Sequence, residues 1–262
     1  MSSEVLPASE MSDASPESAA SVENWRMLID GAGSPAWNMA VDEALLRHAT
    51  APVLRIYEWK PAKSTSTGSG SASSGELLPS VSIGYFQPTS VVPAPRPFVR
   101  RYTGGGLVDH ERDVTYTIVL PREHRVAQLS TTASYELIHI GVRDALAAVG
   151  IQSIVVPCCD EIESTACFQK AVKFDVKCGD LKLAGAAQRR SREGFLHQGS
   201  VLLPPSADPA LNAALRRALP AALGGALGFA PAPGTLTADE MMAAFSLQST
   251  RYSTDEWNRK NE

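Results

Sequence analysis

The sequence lacks an excess of basic residues. Its 24 Lys and Arg stand against 28 Asp and Glu, which gives a formal net charge of −4 at pH 7. Proteins that bind nucleic acid usually present a clear surplus of positive charge, so the composition argues against such a partner. Apolar residues make up 44% of the chain and charged residues 20%, an ordinary globular composition that excludes wholesale disorder.

The sequence also lacks any C-x-x-C pair. Its four cysteines are clustered in one stretch, at Cys158, Cys159, Cys167 and Cys178. This spacing argues against a disulfide framework and against a ribbon-type zinc site. We therefore expect no bound metal and a reducing, cytoplasmic location.

Basic residues are missing from the N-terminus as well, where none precedes Arg26. Secretory and transit peptides carry the opposite charge, so residues 1–22, which are rich in Ser, are predicted to be a disordered tail. From Ala218 to Ala238 there is no charged residue, but Pro220 and further prolines and glycines would break a membrane helix. We expect no membrane span and interpret that stretch as a loop between two helices.

What is present predicts an α+β protein, with mixed or antiparallel β-sheets and packed helices. Ser34 before Pro35 favours a helix over 35–48, and an apolar stripe that ends at Gly150 favours a second helix. Turn residues separate the predicted strands, which are Val53–Trp59, Val81–Phe86, Phe98–Tyr102, Val114–Leu120, Ile151–Val156, Val172–Lys177, Leu181–Arg190 and Phe195–Leu203.

Three regions follow from this pattern. Residues 23–204 are predicted to form the main domain. Residues 64–75, nearly all Ser, Thr and Gly, are predicted to be a flexible insertion in a hairpin between the first two strands. Residues 205–262 are predicted to form a short helical C-terminal extension, with helices near 209–223 and 237–245.

Three consecutive glycines form the most unusual local string, Arg100-Arg101-Tyr102-Thr103-Gly104-Gly105-Gly106. A backbone without Cβ atoms lets amide N–H groups approach a carboxylate, a phosphate or an acyl group closely. No Gly-Lys-Ser/Thr follows, and the next element is a strand, so this is neither a P-loop nor a dinucleotide fingerprint. A plain hairpin turn is the alternative.

Lys182 lies in a second glycine-containing string, Gly179-Asp180-Leu181-Lys182-Leu183-Ala184-Gly185. On a strand, Leu181 and Leu183 would share one face and Lys182 the other, beside small residues. Its ammonium group could then donate to a substrate carbonyl. The alternative is a solvated surface lysine.

Cys167 is predicted to lie in a loop between strands, where a substrate could reach its thiol. A thiolate is a strong nucleophile at neutral pH, and a neighbouring cation such as Lys182 would increase the thiolate fraction. The alternative is an inert buried cysteine. The polar residues Asn38, Asp42 and Glu43 of the first helix are interpreted as a solvated stripe, and His197 as a structural histidine rather than a base.

Taken together, these strings resemble the biotin and lipoate protein ligase superfamily, in its lipoate-ligase-like and octanoyltransferase branch. The resemblance covers about residues 25–203. It is carried by Asn38-Met39-Ala40-Val41-Asp42-Glu43-Ala44-Leu45-Leu46, Ser82-Ile83-Gly84-Tyr85-Phe86-Gln87, the Arg-Arg-Tyr-Thr-Gly-Gly-Gly turn and Lys182–Arg190. It implies a biotin/lipoate ligase-like catalytic domain.

The resemblance also implies roles for single residues. Cys167 and Lys182 would be catalytic, because one octanoyltransferase group places a cysteine in a Cys-Phe loop before the lysine strand. The residues implied to bind the acyl substrate are Arg101, Thr103, Gly104, Gly105, Gly106, Gly185 and His197. Thr103, Leu107 and Glu111 depart from the family's usual residues, as does His197-Gln198.

The implied reaction is octanoyl transfer from octanoyl-acyl carrier protein, through a Cys167 thioester, to the lysine of a lipoyl domain. Acceptors would be proteins such as the glycine cleavage H protein or a 2-oxoacid dehydrogenase E2. No cofactor is expected. Acidic partners could be steered by a basic group of Arg100, Arg101, Arg189, Arg190 and Arg192.

Three alternatives stay open. An ATP-dependent lipoate-protein ligase would use ATP and Mg²⁺ to form an acyl-adenylate. An octanoyl amidotransferase would move the acyl group between lipoyl domains with the same cysteine. A catalytically silent acyl-binding protein is favoured if Cys167 is buried away from Lys182.

Overall fold

The computed structural model describes residues 23–64, 76–157 and 172–262. Within these ranges helices cover a large mixed β-sheet, which confirms the predicted α+β class. The N-terminal tail, nearly all of the Ser-rich insertion and the segment with Cys158, Cys159 and Cys167 lie outside the described residues.

The elements are numbered in chain order. The strands are β1 (Glu23–Gly33), β2 (Val53–Trp59), β3 (Ala62–Lys63), β4 (Leu77–Leu78), β5 (Val81–Ile83), β6 (Phe98–Arg100), β7 (Val108–Asp109), β8 (Val114–Leu120), β9 (Ile154–Val155), β10 (Val176–Cys178), β11 (Leu181–Arg190), β12 (Phe195–Val201) and β13 (Phe229–Pro233). The helices are α1 (Pro35–His48), α2 (Arg125–Gln128), α3 (Thr131–Ala148), α4 (Leu211–Leu227), α5 (Ala238–Leu247) and α6 (Asp255–Asn258).

The main sheet of the described chain has the strand order β13-β1-β2-β8-β12-β11-β10-β9. The strand β1 pairs in parallel with both β13 and β2, whereas the strands from β2 to β9 along the sheet pair antiparallel. A smaller sheet, β6-β5-β7, carries the residues on either side of the glycine turn. The turn therefore lies beside the main sheet and not within it.

Helices pack on both faces of the main sheet. Val53 belongs to the apolar cluster under α1 and α5, whereas its neighbour Leu54 belongs to the cluster under α3 and α4. Consecutive strand residues point to opposite faces, so one strand supplies both clusters. The helix predicted over 35–48 is confirmed, with the Ser34 side chain accepting from the Trp37 amide at its N-cap. Gly150, at a φ of 82°, follows α3, which is the second of the predicted helices.

The loop predicted from Ala218 to Ala238 is wrong. Helix α4 continues through Pro220 to Leu227, and the chain then forms β13 beside β1. The apolar face of α4, spaced every four residues at Leu215, Leu219, Leu223 and Leu227, is fully buried. Burial of that face outweighs the helix-breaking tendency of Pro220 and of the neighbouring glycines.

The hairpin around the Ser-rich insertion also differs from the prediction. The flanking strands are the short pair β3 and β4, while β2 belongs to the main sheet and β5 to the smaller one. Two-residue strands such as Ala62–Lys63 and Leu77–Leu78 are too short to show an alternating pattern in the sequence. The position of the insertion between two antiparallel strands is nevertheless as expected.

Candidate active site

A narrow cavity is lined by Arg101 and Val108, which flank the glycine turn, and by residues of the strands β11 and β12. Its volume is about 30 Å³. Its walls include Met39, Trp59, Arg101, Val108, Gly185 and Gln198. Two predicted binding residues, Arg101 and Gly185, therefore face one cavity from opposite sides.

The glycine turn is held in shape by the side chain of Arg101. The guanidinium donates to the carbonyl oxygens of Gly104 and Gly106, at 3.0 and 2.7 Å. Gly105 has a φ of 83°, and a Cβ on Gly84 would lie 1.9 Å from its carbonyl oxygen. Glycine is thus required at Gly105, for the left-handed backbone of the turn, and at Gly84, where the turn comes close to the chain that follows β5. Arg101 supports the turn and also contributes to the cavity wall.

Behind the turn lies a buried polar group that we call the scaffold cluster. It consists of Asp42, Arg55, Tyr57, Thr117 and Gln198. Its centre is the carboxylate of Asp42, which accepts from all four partners at 2.6 to 3.1 Å. Thr103 donates to Gln198 at 2.7 Å and so ties the glycine turn to the cluster. Thr103 is placed to fix the turn, and a role in binding stays a prediction.

The polar residues of α1 are therefore not a solvated stripe, and that interpretation is wrong. Asn38, Asp42 and Glu43 are all buried, with at most 1% of each residue exposed. Arg55 is also fully buried, and although burial disfavours its charged form, Asp42, Tyr57 and Asp30 raise the pKa of its guanidinium. The partners of Asp42 come from β2, β8 and β12, and those of Glu43 include Arg251 and Tyr252 near the C-terminus.

Lys182 belongs to a second buried group, the lysine cluster, which consists of Lys182, Asp175, Tyr135 and His139. The ammonium nitrogen of Lys182 lies 2.7 Å from Asp175 Oδ2, and its side chain is only 6% exposed. A Cβ on Gly185 would lie 2.9 Å from the same nitrogen. The amine therefore packs directly against a residue of the cavity wall, which excludes the alternative of a solvated surface lysine.

The predicted facing of the lysine strand is only half right. Leu183 is buried but Leu181 is 48% exposed, so the two leucines do not share a face. The register between β10 and β11 shifts at this point, since Val176 pairs with Ala184 while Lys177 pairs with Lys182. A bulge of this kind reorients one side chain relative to regular alternation. It directs Lys182 to Asp175 and Gly185.

One histidine, His139, belongs to the lysine cluster, and a second, His197, lies beside it. Burial lowers the pKa of His139 to about 4, and its Nδ1 lies 2.6 Å from the carbonyl oxygen of Phe174. Burial, together with the neighbouring His139 and Arg190, also holds the pKa of His197 well below its ordinary value. The ring nitrogens of His197 contact Tyr116 and Gln188, and the ring lies behind the cavity wall. A substrate contact for His197 stays a prediction.

A further polar series in the wall was missed by sequence reasoning. His110 Nε2 lies 2.7 Å from Ser82 Oγ, and its Nδ1 lies 2.9 Å from Asp113 Oδ2. Burial would raise the pKa of Asp113, but the charge and hydrogen bond of His110, with donors from Ser200 and Thr115, lower it. Arg101 also donates to Ser82 Oγ, at 2.7 Å. Ser82 and His110 are 28 residues apart in the chain, so only the folded structure shows that they form one series.

The basic group predicted to steer partners is partly wrong. Arg100 and Arg101 are buried, with 0% and 5% exposed. Arg100 donates to backbone carbonyls, and Arg101 donates to backbone carbonyls and to Ser82 Oγ. Arg189 stacks on the ring of Tyr102, with 3.7 Å between its guanidinium carbon and the ring centroid. Arg190 and Arg192, at the β11–β12 turn, remain at the surface beside it.

The structure thus brings Arg101 and Gly185 to one cavity, with the glycine turn and Thr103 held beside it by Arg101 and Gln198. Lys182 packs against Gly185 but lines a separate cavity of about 230 Å³, together with Leu183 and Leu202. Cys167 lies outside the described residues. Within the described ranges, no group of three metal-binding side chains is close enough to hold an ion. The helices in those ranges are also too short or too polar to cross a membrane.

Comparison with known sequences places the chain in a family. Residues 76–221 match the lipoyl protein ligase A/B catalytic domain. The octanoyltransferase LipM of Brevibacillus brevis is 30% identical, over 90% of this chain and 99% of that protein. The LipM of Kyrpidia tusciae is 34% identical, over 70% of this chain and 67% of that protein.

Solved structures agree with this on the fold. A lipoate protein ligase of Thermoplasma acidophilum with bound lipoic acid superposes with a TM-score of 0.70, at 23% identity over 90% of this chain and 99% of that one. Lipoate-protein ligase A bound with ATP gives a TM-score of 0.70 at 22% identity, over 91% of this chain and 100% of that one. From the matching residues, the curated relatives and the shared fold, the chain belongs to the lipoyl protein ligase A/B catalytic domain family.

Proposed function

We propose that this protein is an octanoyltransferase of protein lipoylation, which moves an octanoyl group from octanoyl-acyl carrier protein to a lysine of a lipoyl domain. Curated relatives of 30–34% identity over most of the chain are octanoyltransferases, which supports octanoyl transfer. The structural observation that carries the proposal is the position of the Lys182 amine, buried against Gly185 in the cavity wall. A cation at this position can stabilise negative charge on an acyl oxygen.

The first step forms a thioester on the enzyme. The Cys167 thiolate attacks the carbonyl carbon of the donor thioester, and Lys182 donates to the oxygen as it gains negative charge. The carbon–sulfur bond to the carrier then breaks, and the carrier thiolate leaves and takes up a proton. One thioester replaces another, so this step is close to thermoneutral and needs no ATP.

The second step makes the product. The neutral amine of the lipoyl lysine attacks the Cys167 thioester, a carbon–nitrogen bond forms, and the bond to the cysteine sulfur breaks. The amine loses one proton as the amide forms, and the sulfur leaves as a thiolate. Conversion of a thioester to an amide is downhill, so transfer needs no cofactor.

The decisive experiment is intact mass measurement after incubation with octanoyl-acyl carrier protein in the absence of ATP. We expect an octanoyl adduct on the wild-type protein and none on Cys167→Ser. Cys178→Ser is the matched control, because Cys178 is a free, half-buried cysteine of β10, and this variant should keep the adduct. Lys182→Ala should slow adduct formation by roughly a hundredfold or more.

Mass measurement of a lipoyl domain incubated with the protein and different acyl donors separates the alternatives. Labelling of a lipoyl domain only with ATP and free octanoate would establish a lipoate ligase. Labelling only from an octanoylated lipoyl domain would establish an amidotransferase. Binding of octanoyl-acyl carrier protein without any adduct or transfer would leave an acyl-binding protein and would overturn the proposal.

A further inference from the structure

Asp175 is the residue that holds Lys182 in place. Its carboxylate is completely buried, and Oδ2 lies 2.7 Å from the lysine ammonium nitrogen. The same oxygen accepts from the backbone N–H of Val172, also at 2.7 Å. The other oxygen, Oδ1, accepts from the Tyr135 hydroxyl at 2.5 Å. Both carboxylate oxygens are therefore occupied by donors of the protein.

These contacts fix the carboxylate from three separate segments of the chain. Tyr135 belongs to α3, Val172 precedes β10, and Lys182 lies on β11. The Tyr135 oxygen also accepts from the Ala186 amide at 2.9 Å, so the phenol is itself anchored to the lysine strand. A carboxylate fastened in this way has one position available, and the flexible four-carbon chain of a lysine takes its direction from it.

Geometry at Gly185 makes that direction important. The Lys182 Cε and Nζ atoms lie within 3 Å of where a Cβ of Gly185 would be, and Asp175 Oδ1 lies 3.6 Å from the same point. The lysine amine is thus held between a buried carboxylate and a bare stretch of cavity wall.

We infer that Asp175 is a positioning residue, which aims the Lys182 ammonium group at the acyl oxygen and is braced by Tyr135. The inference deepens the proposed function and rests on it for the identity of the acyl substrate. Asp175 does not touch the substrate and exchanges no proton with it. Its effect on the reaction passes entirely through Lys182, which gives the proposal a test that a purely structural role would fail.

The test is a double-mutant cycle on the rate of thioester formation. Asp175→Asn keeps the shape of the side chain but removes its charge, and we expect the rate constant to fall about tenfold to a hundredfold with an unchanged KM for the donor. In a Lys182→Ala background the same change should have less than a twofold effect, because the group that it aims is gone. Equal losses in both backgrounds would overturn the proposal.

Tyr135→Phe provides a milder second variant in case Asp175→Asn does not fold. It removes one donor to Asp175 and should slow thioester formation by about threefold to tenfold, again only when Lys182 is present. Tyr252→Phe is the matched control, since this buried hydroxyl donates to another buried carboxylate, Glu43 Oε2, at 2.6 Å. It should leave the rate unchanged.

A measurement without substrate keeps the inference separate from the proposed function. Proton–nitrogen NMR spectra selective for lysine ammonium groups should show a slowly exchanging signal for Lys182, identified by its loss in Lys182→Arg. The signal should vanish or shift strongly in Asp175→Asn and persist in Glu240→Gln, which alters a buried carboxylate paired with Arg26 instead. If the wild type forms no adduct but the signal behaves this way, the octanoyltransferase proposal fails while the positioning of Lys182 by Asp175 stands. A signal unaffected by Asp175→Asn would overturn the positioning role.

Discussion

The scaffold cluster and the lysine cluster each bury a carboxylate beside a cation, yet they differ in what the cation can reach. In the scaffold cluster Arg55 is 0% exposed and donates to Asp42, Asp30 and the Asn38 carbonyl, so its donors are used within the protein. In the lysine cluster the compact ammonium group of Lys182 packs against a glycine in the cavity wall. The planar fork of arginine suits a fixed network, whereas a lysine amine can add a contact to a substrate.

The difference shows that a buried ion pair is not by itself a sign of catalysis. The scaffold cluster joins α1, β2, β8 and β12 and holds the glycine turn through Thr103. The lysine cluster joins α3, β11 and the segment before β10, and Lys182 packs against Gly185 of the cavity wall. At neutral pH the first should therefore determine stability and the second the rate of reaction, and three variants probe the two clusters.

The largest effect is expected from Asp42→Ala. The change leaves Arg55 buried with only the partly exposed Asp30 as an acidic partner and removes the acceptor of Tyr57, Thr117 and Gln198. We expect the free energy of unfolding to fall by about 3 kcal/mol or more, measured by urea denaturation. Asp109→Ala, at an exposed ion pair with Arg96, is the control and should cost less than about 1 kcal/mol. A loss at Asp42 no larger than this control would contradict the structural role.

The next effect concerns pH and belongs to the lysine cluster. The pKa of His139 is lowered by burial to about 4 in the folded state, against about 6.5 in an unfolded chain. The unfolded state therefore binds the proton more readily, so stability is complete above about pH 6.5 and is lost as the pH falls towards 4. The contribution of this residue to that loss is about 3 kcal/mol.

His139→Gln should flatten this part of the stability curve, measured by denaturation at several pH values. His48→Gln is the control, because His48 is exposed at the end of α1 and should leave the curve as it is. Equal acid sensitivity of the wild type and of His139→Gln would show that other groups, such as His197, account for the loss.

The smallest effect is expected from Gly185→Ala. A methyl group there would lie 2.8 Å from Cε and 2.9 Å from Nζ of Lys182, so the flexible end of the lysine must move away from the wall. We expect thioester formation to slow by about tenfold, because displacement of a reacting group by a fraction of an ångström to 1 Å has effects of this order. The melting temperature should change by only a few degrees.

Gly31→Ala is the matched strand control, since a methyl group at that position meets no atom within 4 Å. It should affect neither rate nor stability appreciably. An unchanged rate in Gly185→Ala would mean that the amine acts from a position away from the wall. The contact between Lys182 and Gly185 would then not be what links the lysine cluster to the rate of reaction.

The sequence alone allowed prediction of the α+β class, the first helix and the glycine turn, and it singled out Lys182, whose catalytic role stays a prediction. These features follow from local rules: a capped apolar stripe, a run of residues without Cβ atoms, and a lysine among small residues. Each involves only neighbours along the chain, so it can be recognised before folding. The resemblance then indicated the family, which the matching family and relatives confirmed.

Only the tertiary structure decided which polar residues are buried and what they contact. Asp42 looked like a surface residue because its partners Thr117 and Gln198 lie 75 and 156 residues away in the chain. Asp175 carried no signal for the same reason, since Tyr135 reaches it from a separate helix. Pro220 led to the wrong prediction of a loop, because the sequence does not show that the apolar face of α4 packs against α3. Local preference is worth at most a few kcal/mol per residue, and long-range burial outweighs it.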